Sequence, residues 1–399
     1  MKVTLVAAPF GQGGQMHIHC RRYVRLLQLA GCDVTLIEHS GFQSRPAPGV
    51  DHRKYPRRMR RLDPLLTSRA LSLLHKRRLE PLLRSANADV CHLQWVDERI
   101  LDVSLAGGRP LVATAWGSDL NVPLQMSPTN PVRQRIGAAL RELDLLIVDC
   151  DDSTAVANEL AGTEVPVASL PIGIDTQLFH PDLPKQRAEW RQRFQIEPDA
   201  LVFLSGRQLG AIYRPGEIIE AFAHMPGAAR QRSYLIMRMF GHGVGTSLRS
   251  LQQLTQSLGI EQRVRWIGGM PYERQPGLFV AADFMVNFPQ MDAFPVTFLE
   301  SLACGVPVLT NRLEAYESNG VAPYLTFSSE DSVPALSATM AAALDDVEAL
   351  HVQAAQGREH VVRNFDERIS ATRLKEIYDS VLLRYSTRNR GNADSFVPC

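Results

Sequence analysis

The chain has 399 residues, of which 45% are hydrophobic and 21% are charged, a composition typical of a globular enzyme and unlike that of a disordered chain. At about 150 residues per domain, this length favours two domains. Lys and Arg number 43 against 42 Asp and Glu, and this even balance argues against a dedicated nucleic-acid-binding protein.

The first part of the chain alternates short apolar runs with amphipathic segments, the pattern of a parallel α/β sheet. A helix over residues 18–30 follows the first run. Because the apolar residues of each run are continuous rather than alternating, we expect strands buried on both faces. The predicted strands are Val3–Ala8, Val34–Ile37, Asp89–Leu93, Leu111–Ala115 and Leu145–Val148.

A second α/β series follows a proline-rich crossing at residues 165–185. Its predicted strands are Leu201–Ser205, Tyr234–Met237, Val264–Ile267, Phe284–Asn287 and Val306–Thr310. Two doubly wound domains facing each other would place a ligand cleft at the carboxyl ends of both sheets. We predict domains at 1–170 and 171–365, a C-terminal helix at 366–385 that packs back on the first domain, and a flexible tail at 386–399.

Charge is uneven along the chain. Residues 45–84 contain twelve Lys and Arg against three acids, whereas residues 85–180 contain five Arg against 13 acids. The basic segment includes Arg57, Arg58, Arg60 and Arg61 and then an amphipathic helical pattern. It is either a contact with an anionic membrane surface or an exposed segment that offsets the acidic stretch, and the sequence leaves both open.

The six cysteines are scattered and form no Cys-x-x-Cys pair, so we expect reduced and mostly buried thiols. The amino-terminal apolar run is too short for a signal peptide, and no window approaches the roughly 18 apolar residues of a membrane span. We therefore expect a cytoplasmic protein, peripheral at the inner face of the membrane if the basic segment binds lipid.

Three strands are followed by residues suited to a nucleotide or a sugar. Gly11-Gln12-Gly13-Gly14 lies between a strand and a helix, where backbone N–H groups can meet a phosphate, or it is simply a tight turn. Position 16 is Met16, and we identify no acidic residue that follows at the right distance in a strand context, so a dinucleotide fingerprint is disfavoured. Gly206-Arg207 ends the first strand of the second series, with Arg214 seven residues later. Each arginine suits a diphosphate or forms a surface ion pair.

Trp116-Gly117-Ser118-Asp119 follows the strand Leu111–Ala115. Asp119 could accept a hydrogen bond from a substrate hydroxyl or cap a turn, and Trp116 offers an apolar face to a sugar ring. The histidine spacing matches no zinc motif, so we expect no protein-bound metal.

The most informative segment is residues 292–305, in which Asp292 precedes a helix start and Glu300 lies inside an otherwise apolar helix. An unpaired buried carboxylate is costly, so Glu300 needs a dedicated partner. A ribose diol fits because an ionised carboxylate accepts from two hydroxyls. The alternative is an acid near the helix N-terminus together with one internal salt bridge.

Together these segments resemble glycosyltransferase family 4. The strongest part is residues 292–310 (DAFPVTFLESLACGVPVLT), which is similar to that family's E-x7-E donor motif and the strand after it. Gly173-Ile174-Asp175-Thr176 and Gly241-His242-Gly243 agree with the family in order and spacing.

The resemblance implies the GT-B fold and a retaining enzyme that moves a sugar from a nucleoside diphosphate donor, most commonly UDP-linked, to an acceptor hydroxyl without a metal or other cofactor. By motif position, Arg207 binds the diphosphate, Glu300 the donor ribose, and Asp292 the donor sugar. The remaining implied donor-binding residues are Gly13, Gly14, Arg214, Gly241, Ala293, Phe294 and Pro295. Arg207, Asp292 and Asp119 are the candidate catalytic residues, and Trp116 and Asp119 the candidate acceptor-binding residues.

Three positions depart from the family pattern. Asp292 replaces a Glu and is one methylene shorter. The Lys expected after Gly-Arg is absent, since Ile212 and Tyr213 stand there, and we hypothesise that Arg214 supplies the charge. Trp116 replaces the family's active-site His.

The acceptor remains open. The basic segment favours a cell-envelope glycan or lipid-linked acceptor, and the alternative is a soluble natural product or other small molecule. A non-catalytic scaffold that binds sugar nucleotides is a further alternative, and epimerases and phosphorylases share the same fold.

Overall fold

The computed structural model describes residues 1–8, 11–12, 15–16, 18–40, 47–55, 79–104, 107–149, 152–239, 247–292, 294–317 and 320–394. The chain divides into two compact units, unit 1 (Met1–Ile172 with Arg368–Cys399) and unit 2 (Gly173–Glu367). The boundaries expected after residues 170 and 365 each lie two residues before the observed ones. The basic residues Arg57, Arg58, Arg60 and Arg61 lie outside the described residues.

Unit 1 is built on a parallel seven-stranded sheet in the order β5-β4-β1-β6-β7-β8-β9. Every residue of β6, β7 and β8 is buried, as expected for continuous apolar runs covered on both faces. The strands are β1 (Lys2–Val6), β4 (Asp33–His39), β5 (Asp51–Tyr55), β6 (Val90–Leu93), β7 (Leu111–Thr114), β8 (Leu145–Val148) and β9 (Val167–Ser169), with a two-stranded pair β2 (Gly11–Gln12) and β3 (Gln15–Met16). The helices are α1 (Ile18–Leu29), α2 (79–86), α3 (Arg99–Ser104), α4 (Ser118–Leu124), α5 (Pro131–Arg141) and α6 (Asp152–Ala161).

Unit 2 contains a parallel six-stranded sheet in the order β12-β11-β10-β13-β14-β15. Its strands are β10 (Leu201–Ser205), β11 (Ser233–Arg238), β12 (Val264–Ile267), β13 (Phe284–Asn287), β14 (Val308–Thr310) and β15 (Leu325–Phe327). Its helices are α7 (Pro184–Arg193), α8 (Pro215–His224), α9 (Gly227–Gln231), α10 (Leu248–Ser257), α11 (Gln275–Ala281), α12 (Val296–Ala303), α13 (Val333–Ala343) and α14 (Val347–Asn364). The strand order reverses between β10 and β13, and such a reversal opens a crevice at the carboxyl ends of the strands.

The predicted architecture of two doubly wound Rossmann-like sheets is confirmed. The sequence analysis missed β5, β9 and β15, because these three strands are only partly buried and therefore lack a continuous apolar run.

The C-terminal region differs from the prediction of a helix to residue 385 and a flexible tail. Helix α15 (Glu367–Asp394) continues through residues 386–394. The hydroxyls of Ser386 and Thr387 donate to carbonyls one turn earlier, at 2.8 and 3.0 Å. Arg388 also pairs with Asp144 of unit 1 at 2.8 Å.

The chain enters and leaves unit 2 at adjacent points. The N–H of Ile174 donates to the carbonyl of Phe365 at 2.9 Å, and the N–H of Glu367 donates to the carbonyl of Ile174 at 2.8 Å. Thr176 also donates a hydrogen bond to the Asp366 carboxylate. None of the helices in the described part of the chain combines the length and apolar character that a membrane span requires.

Candidate functional site

Two loops meet at the strand-order reversal of unit 2. Gly206-Arg207 follows β10, and the loop with Asp292 follows β13, the strand paired with β10. A Cβ atom on Gly206 would lie 3.0 Å from the Cε of Met285, so glycine allows the loop to pass close to β13. Both motifs were predicted to bind a donor, and the sheet places them together at one edge.

Arg207 and Asp292 form an ion pair at this edge. Nη2 of Arg207 donates to Oδ1 of Asp292 at 2.8 Å, and the two side chains are 14% and 7% exposed. Nη1 donates to the Thr297 hydroxyl at 3.4 Å, and the guanidinium lies 4.4 Å from the centre of the Tyr213 ring. Burial alone lowers the pKa of Arg207, but the Asp292 carboxylate outweighs it and holds the pKa above its usual value. The site thus holds a permanent cation.

Tyr316 is a third member of this cluster that the sequence analysis missed. Its hydroxyl donates to Oδ2 of Asp292 at 3.2 Å and accepts from Nδ2 of Asn287 at 3.2 Å. Both Tyr316 and Asn287 are fully buried. Burial, followed by the adjacent Asp292 charge, raises the pKa of Tyr316 far above its usual value, so the phenol remains a neutral donor. Tyr316 belongs to no recognised sequence motif. The only signal in the sequence is that it lies after β14, the strand that pairs with β13.

Arg214 lies in a different environment. Its guanidinium donates to Asp331 at 2.8 and 2.9 Å, to Glu217 at 3.2 Å and to the carbonyl of Pro289 at 3.2 Å. Among the described residues, Arg214 therefore forms ion pairs with two partly exposed carboxylates and none with Asp292. The hypothesis that Arg214 replaces the missing Lys therefore gains no support from these contacts and stays a prediction.

The start of α12 carries two of the predicted donor-binding residues. Phe294 is buried, with its ring 5.5 Å from that of Phe365. Pro295 has no N–H group, and its carbonyl accepts the N–H of Phe298 at 2.9 Å at the start of the helix. The donor-binding roles of both residues stay predictions. Glu300 is 2% exposed inside the helix, as predicted for a buried carboxylate. Gly13, Gly14, Gly241 and Ala293 lie outside the described residues.

Asp119 is a buried residue of unit 1 whose carboxylate accepts two backbone N–H groups, and its catalytic and acceptor-binding roles stay predictions. Its carboxylate accepts the N–H of Trp116 at 2.9 Å and the N–H of Val96 at 3.0 Å, and the residue is 4% exposed. It thereby joins the loops after β7 and β6, as in the turn-capping alternative. Burial raises the pKa of Asp119 to about 7, against the opposing effect of the two backbone donors.

Trp116 stacks on His19 of α1, with ring centres 4.2 Å apart and planes at 13°, and Tyr23 meets it edge-on at 5.7 Å. One indole face is therefore covered by His19, which restricts contact with a sugar to the rest of the ring. Trp116 stays a predicted acceptor-binding residue.

A buried polar chain runs beneath these rings. The Thr114 hydroxyl donates to the Tyr23 hydroxyl at 3.1 Å and lies 2.7 Å from Nε2 of His92, whose Nδ1 lies 2.5 Å from the Tyr378 hydroxyl of α15. His92 is fully buried, and burial lowers its pKa to about 3. The chain therefore connects α15 to the centre of the unit 1 sheet through a neutral imidazole.

The end of β4 corrects another expectation. Glu38 lies there, beside β1, so an acidic residue does follow the glycine-rich turn. Its carboxylate is fully buried, 3.0 Å from His52 and 3.3 Å from Lys54. Because Glu38 already has Lys54 as a partner within the protein, the dinucleotide interpretation is still not favoured.

Within the described residues, no three His, Cys, Asp or Glu side chains form a group that could hold a metal ion. Four cysteines in the same part of the chain, Cys20, Cys32, Cys91 and Cys304, are free and buried. Whether the reaction needs a metal stays a prediction.

Comparisons with known proteins agree with this arrangement. Residues 186–360 match the family model for glycosyl transferases group 1, and residues 10–150 match the glycosyl transferase 4-like model. The chain is 24% identical over 68% of its length to a GDP-mannose-dependent alpha-(1-6)-phosphatidylinositol monomannoside mannosyltransferase of Mycolicibacterium smegmatis, of which it covers 70%. It is 30% identical over 53% of its length to a D-inositol 3-phosphate glycosyltransferase of Thermobispora bispora, and it spans about half of that relative, 50%.

Solved structures resemble the whole chain in fold. Anabaena HepE in complex with UDP and glucose has a TM-score of 0.73 at 15% identity, with 95% of this chain and 100% of that one covered. Sucrose-phosphate synthase of Thermosynechococcus elongatus has a TM-score of 0.75 at 16% identity, with 96% and 99% covered.

Proposed function

Since the chain belongs to glycosyltransferase family 4 and has the GT-B fold, we propose that it moves a sugar from a nucleoside diphosphate donor to a hydroxyl of a cell-envelope glycan or lipid-linked acceptor, with retained anomeric configuration. The observation that supports this proposal is the cation Arg207, held by Asp292 at the carboxyl edge of the unit 2 sheet. Glu300 lies buried in the helix that begins after Asp292.

In the proposed reaction, the bond between the anomeric carbon and the diphosphate oxygen breaks as the acceptor oxygen bonds to that carbon. Arg207 stabilises the charge that develops on the departing diphosphate, and Asp292 orients the sugar. The acceptor proton passes to the leaving diphosphate, so the protein needs no strong base. No metal takes part in the proposed steps.

Donor and acceptor classes are supported by different relatives. The mannosyltransferase relative is named for GDP-mannose, whereas the HepE structure contains UDP and glucose, so UDP- and GDP-linked sugars are the donors to compare. The same mannosyltransferase is named for a phosphatidylinositol monomannoside, which supports a lipid-linked acceptor. The excess of Lys and Arg in residues 45–84 is the feature that would let the chain contact an anionic membrane surface. A soluble acceptor is the second candidate, favoured by the relatives named for D-inositol 3-phosphate.

A thermal-shift screen against UDP-, GDP-, ADP- and dTDP-linked sugars tests donor binding. A donor at about 100 times its dissociation constant should add about 2.7 kcal/mol to the free energy of unfolding. We expect donors with one particular nucleobase to raise the melting temperature most. Glu300→Gln should abolish this increase, and Glu314→Gln, at an exposed position outside this cluster, should retain it. If no donor shifts the wild-type protein, the proposed function is wrong.

Acceptor class is tested with the donor so identified. Transfer of labelled sugar to phosphatidylinositol monomannoside in vesicles, with inositol 3-phosphate as the soluble counterpart, separates the two candidates. Replacing Arg57, Arg58, Arg60 and Arg61 by Gln should lower vesicle binding while leaving donor affinity unchanged. Equal transfer by that variant and the wild type would favour the soluble acceptor.

A further inference from the structure

Asp292 is the shorter of the two acids that this position could have, and its orientation depends on its neighbours. An aspartate carboxylate rotates about a single terminal bond with broad preferences. Here each oxygen has a different donor, the Arg207 guanidinium on Oδ1 at 2.8 Å and the Tyr316 phenol on Oδ2 at 3.2 Å. Two donors on opposite oxygens fix the plane of the carboxylate.

The direction of the Tyr316 hydrogen bond follows from Asn287. Nδ2 of Asn287 can only donate, and it lies 3.2 Å from the Tyr316 hydroxyl, whose oxygen must therefore accept. The single phenolic hydrogen is then left for Asp292. Asn287 at the end of β13 thus donates to Tyr316, and Tyr316 donates to Asp292.

The Tyr316 ring is held as firmly as its hydroxyl. Tyr316 is fully buried, and its ring lies 5.0 Å from that of Phe298 in α12. It cannot reach a ligand directly and acts only through Asp292. A charge-assisted hydrogen bond of this kind is stronger than a neutral one.

We propose that Tyr316 is a positioning residue for glycosyl transfer, which fixes the Asp292 carboxylate so that its remaining lone pairs face the hydroxyls of the donor sugar. This inference rests on the proposed function. It assigns Tyr316 to the sugar end of the donor, whereas Arg207 and Glu300 serve the diphosphate and the ribose.

The test compares Tyr316→Phe with the wild type, using UDP-glucose and GDP-mannose as donors and UDP and GDP as their sugar-free counterparts. The variant keeps the ring and loses only the hydroxyl. We expect kcat/KM for the active donor to fall about tenfold, while the affinity for the corresponding nucleoside diphosphate changes less than twofold. Tyr324→Phe, whose ring lies beside His360, is the matched control and should behave as wild type.

A double-mutant cycle identifies the route of the effect. Because Tyr316 acts through Asp292, adding Tyr316→Phe to Asp292→Asn should cause no further loss of kcat/KM. Additive losses, an equal loss of nucleoside diphosphate affinity, or unchanged kcat/KM in Tyr316→Phe would each overturn the assignment. Failure of the wild-type protein to bind any of these donors would instead overturn the proposed function.

Discussion

At the scale of single residues, the two arginines after β10 show how partners decide a role. Arg207 pairs with a carboxylate that is only 7% exposed, so both charges lie in a poorly solvated site. Arg214 pairs with Asp331 and Glu217, whose side chains are 53% and 40% exposed. Exposed pairs of this kind stabilise a protein by no more than about 1 kcal/mol. The contacts therefore favour Arg207 over Arg214 as the diphosphate-binding residue of the proposed function.

This difference predicts the outcome of two matched substitutions. Arg207→Gln should lower the affinity for a nucleoside diphosphate at least tenfold, because a charged hydrogen bond to phosphate is lost from a shielded site. Arg214→Gln should change it less than threefold. Isothermal titration with UDP and GDP measures both. A loss in Arg214→Gln as large as that in Arg207→Gln would show instead that Arg214 replaces the missing Lys.

Because His92 is buried and neutral, we predict that the free energy of unfolding decreases at acid pH. Burial lowers its pKa from 6.5 to about 3, so between these values the unfolded chain binds a proton that the folded chain does not. Stability from this residue is therefore complete above about pH 6.5 and falls as the pH drops, by up to about 1.4 kcal/mol per pH unit.

Melting temperatures measured from pH 7 to pH 4.5 test this prediction. The wild-type curve should fall more steeply than that of His92→Gln, which lacks the titrating group. His224→Gln, at an exposed position, should parallel the wild type. Parallel curves for all three proteins would mean that His92 can be protonated in the folded state.

At the scale of elements, one glycine sets the distance between two helices of unit 1. A Cβ atom on Gly137 in α5 would lie 2.2 Å from the carbonyl oxygen of Leu160 in α6. Gly137→Ala should therefore destabilise the protein by about 1–3 kcal/mol, since the helices must move apart. Gly227→Ala in α9, where no atom lies within 4 Å, is the control and should be neutral or stabilising. Equal melting temperatures for both variants would contradict this reasoning.

The central strands of both sheets could be predicted because burial on both faces requires continuous apolar runs, as in β8 and β13. The edge strand β5 (Asp51–Tyr55) could not, since its sequence DHRKY is polar and its place depends on pairing with β4. The ends of strands and of α15 depend on side-chain contacts across the fold, such as that between Arg388 and Asp144.

The candidate site was predictable where a motif fixes it and not where packing does. Strand ends located Arg207 and Asp292 on one edge, because neighbouring parallel strands end together. Tyr316 lies 24 residues from Asp292, in no motif, and only the fold brings its hydroxyl to the carboxylate. Likewise, the distance of Arg214 from Gly206-Arg207 in the sequence could not predict its ion pair with Asp331, which lies 117 residues away.

At the scale of the whole molecule, unit 1 is assembled from the two ends of the chain. Helix α15 follows unit 2 in the chain and belongs to unit 1. Its buried face consists of Ala371, Leu374, Tyr378 and Val381. These positions recur at three- and four-residue intervals, as one stripe of a helix does. The core of unit 1 therefore includes residues separated by the entire length of unit 2, and we expect its stability to depend on α15.

Leu374→Ala tests this dependence, with Leu383→Ala on the same helix as its control. Leu374 is fully buried and its truncation should cost about 2–5 kcal/mol, whereas Leu383 is 70% exposed and its truncation should cost little. Hydrogen exchange should accelerate at the amides of β6 and β7 in Leu374→Ala while those of β13 stay protected. Such a pattern would assign α15 energetically to unit 1. Equal acceleration in both sheets would mean that the two units unfold as one, and no acceleration would mean that the β6 and β7 core is stable without α15.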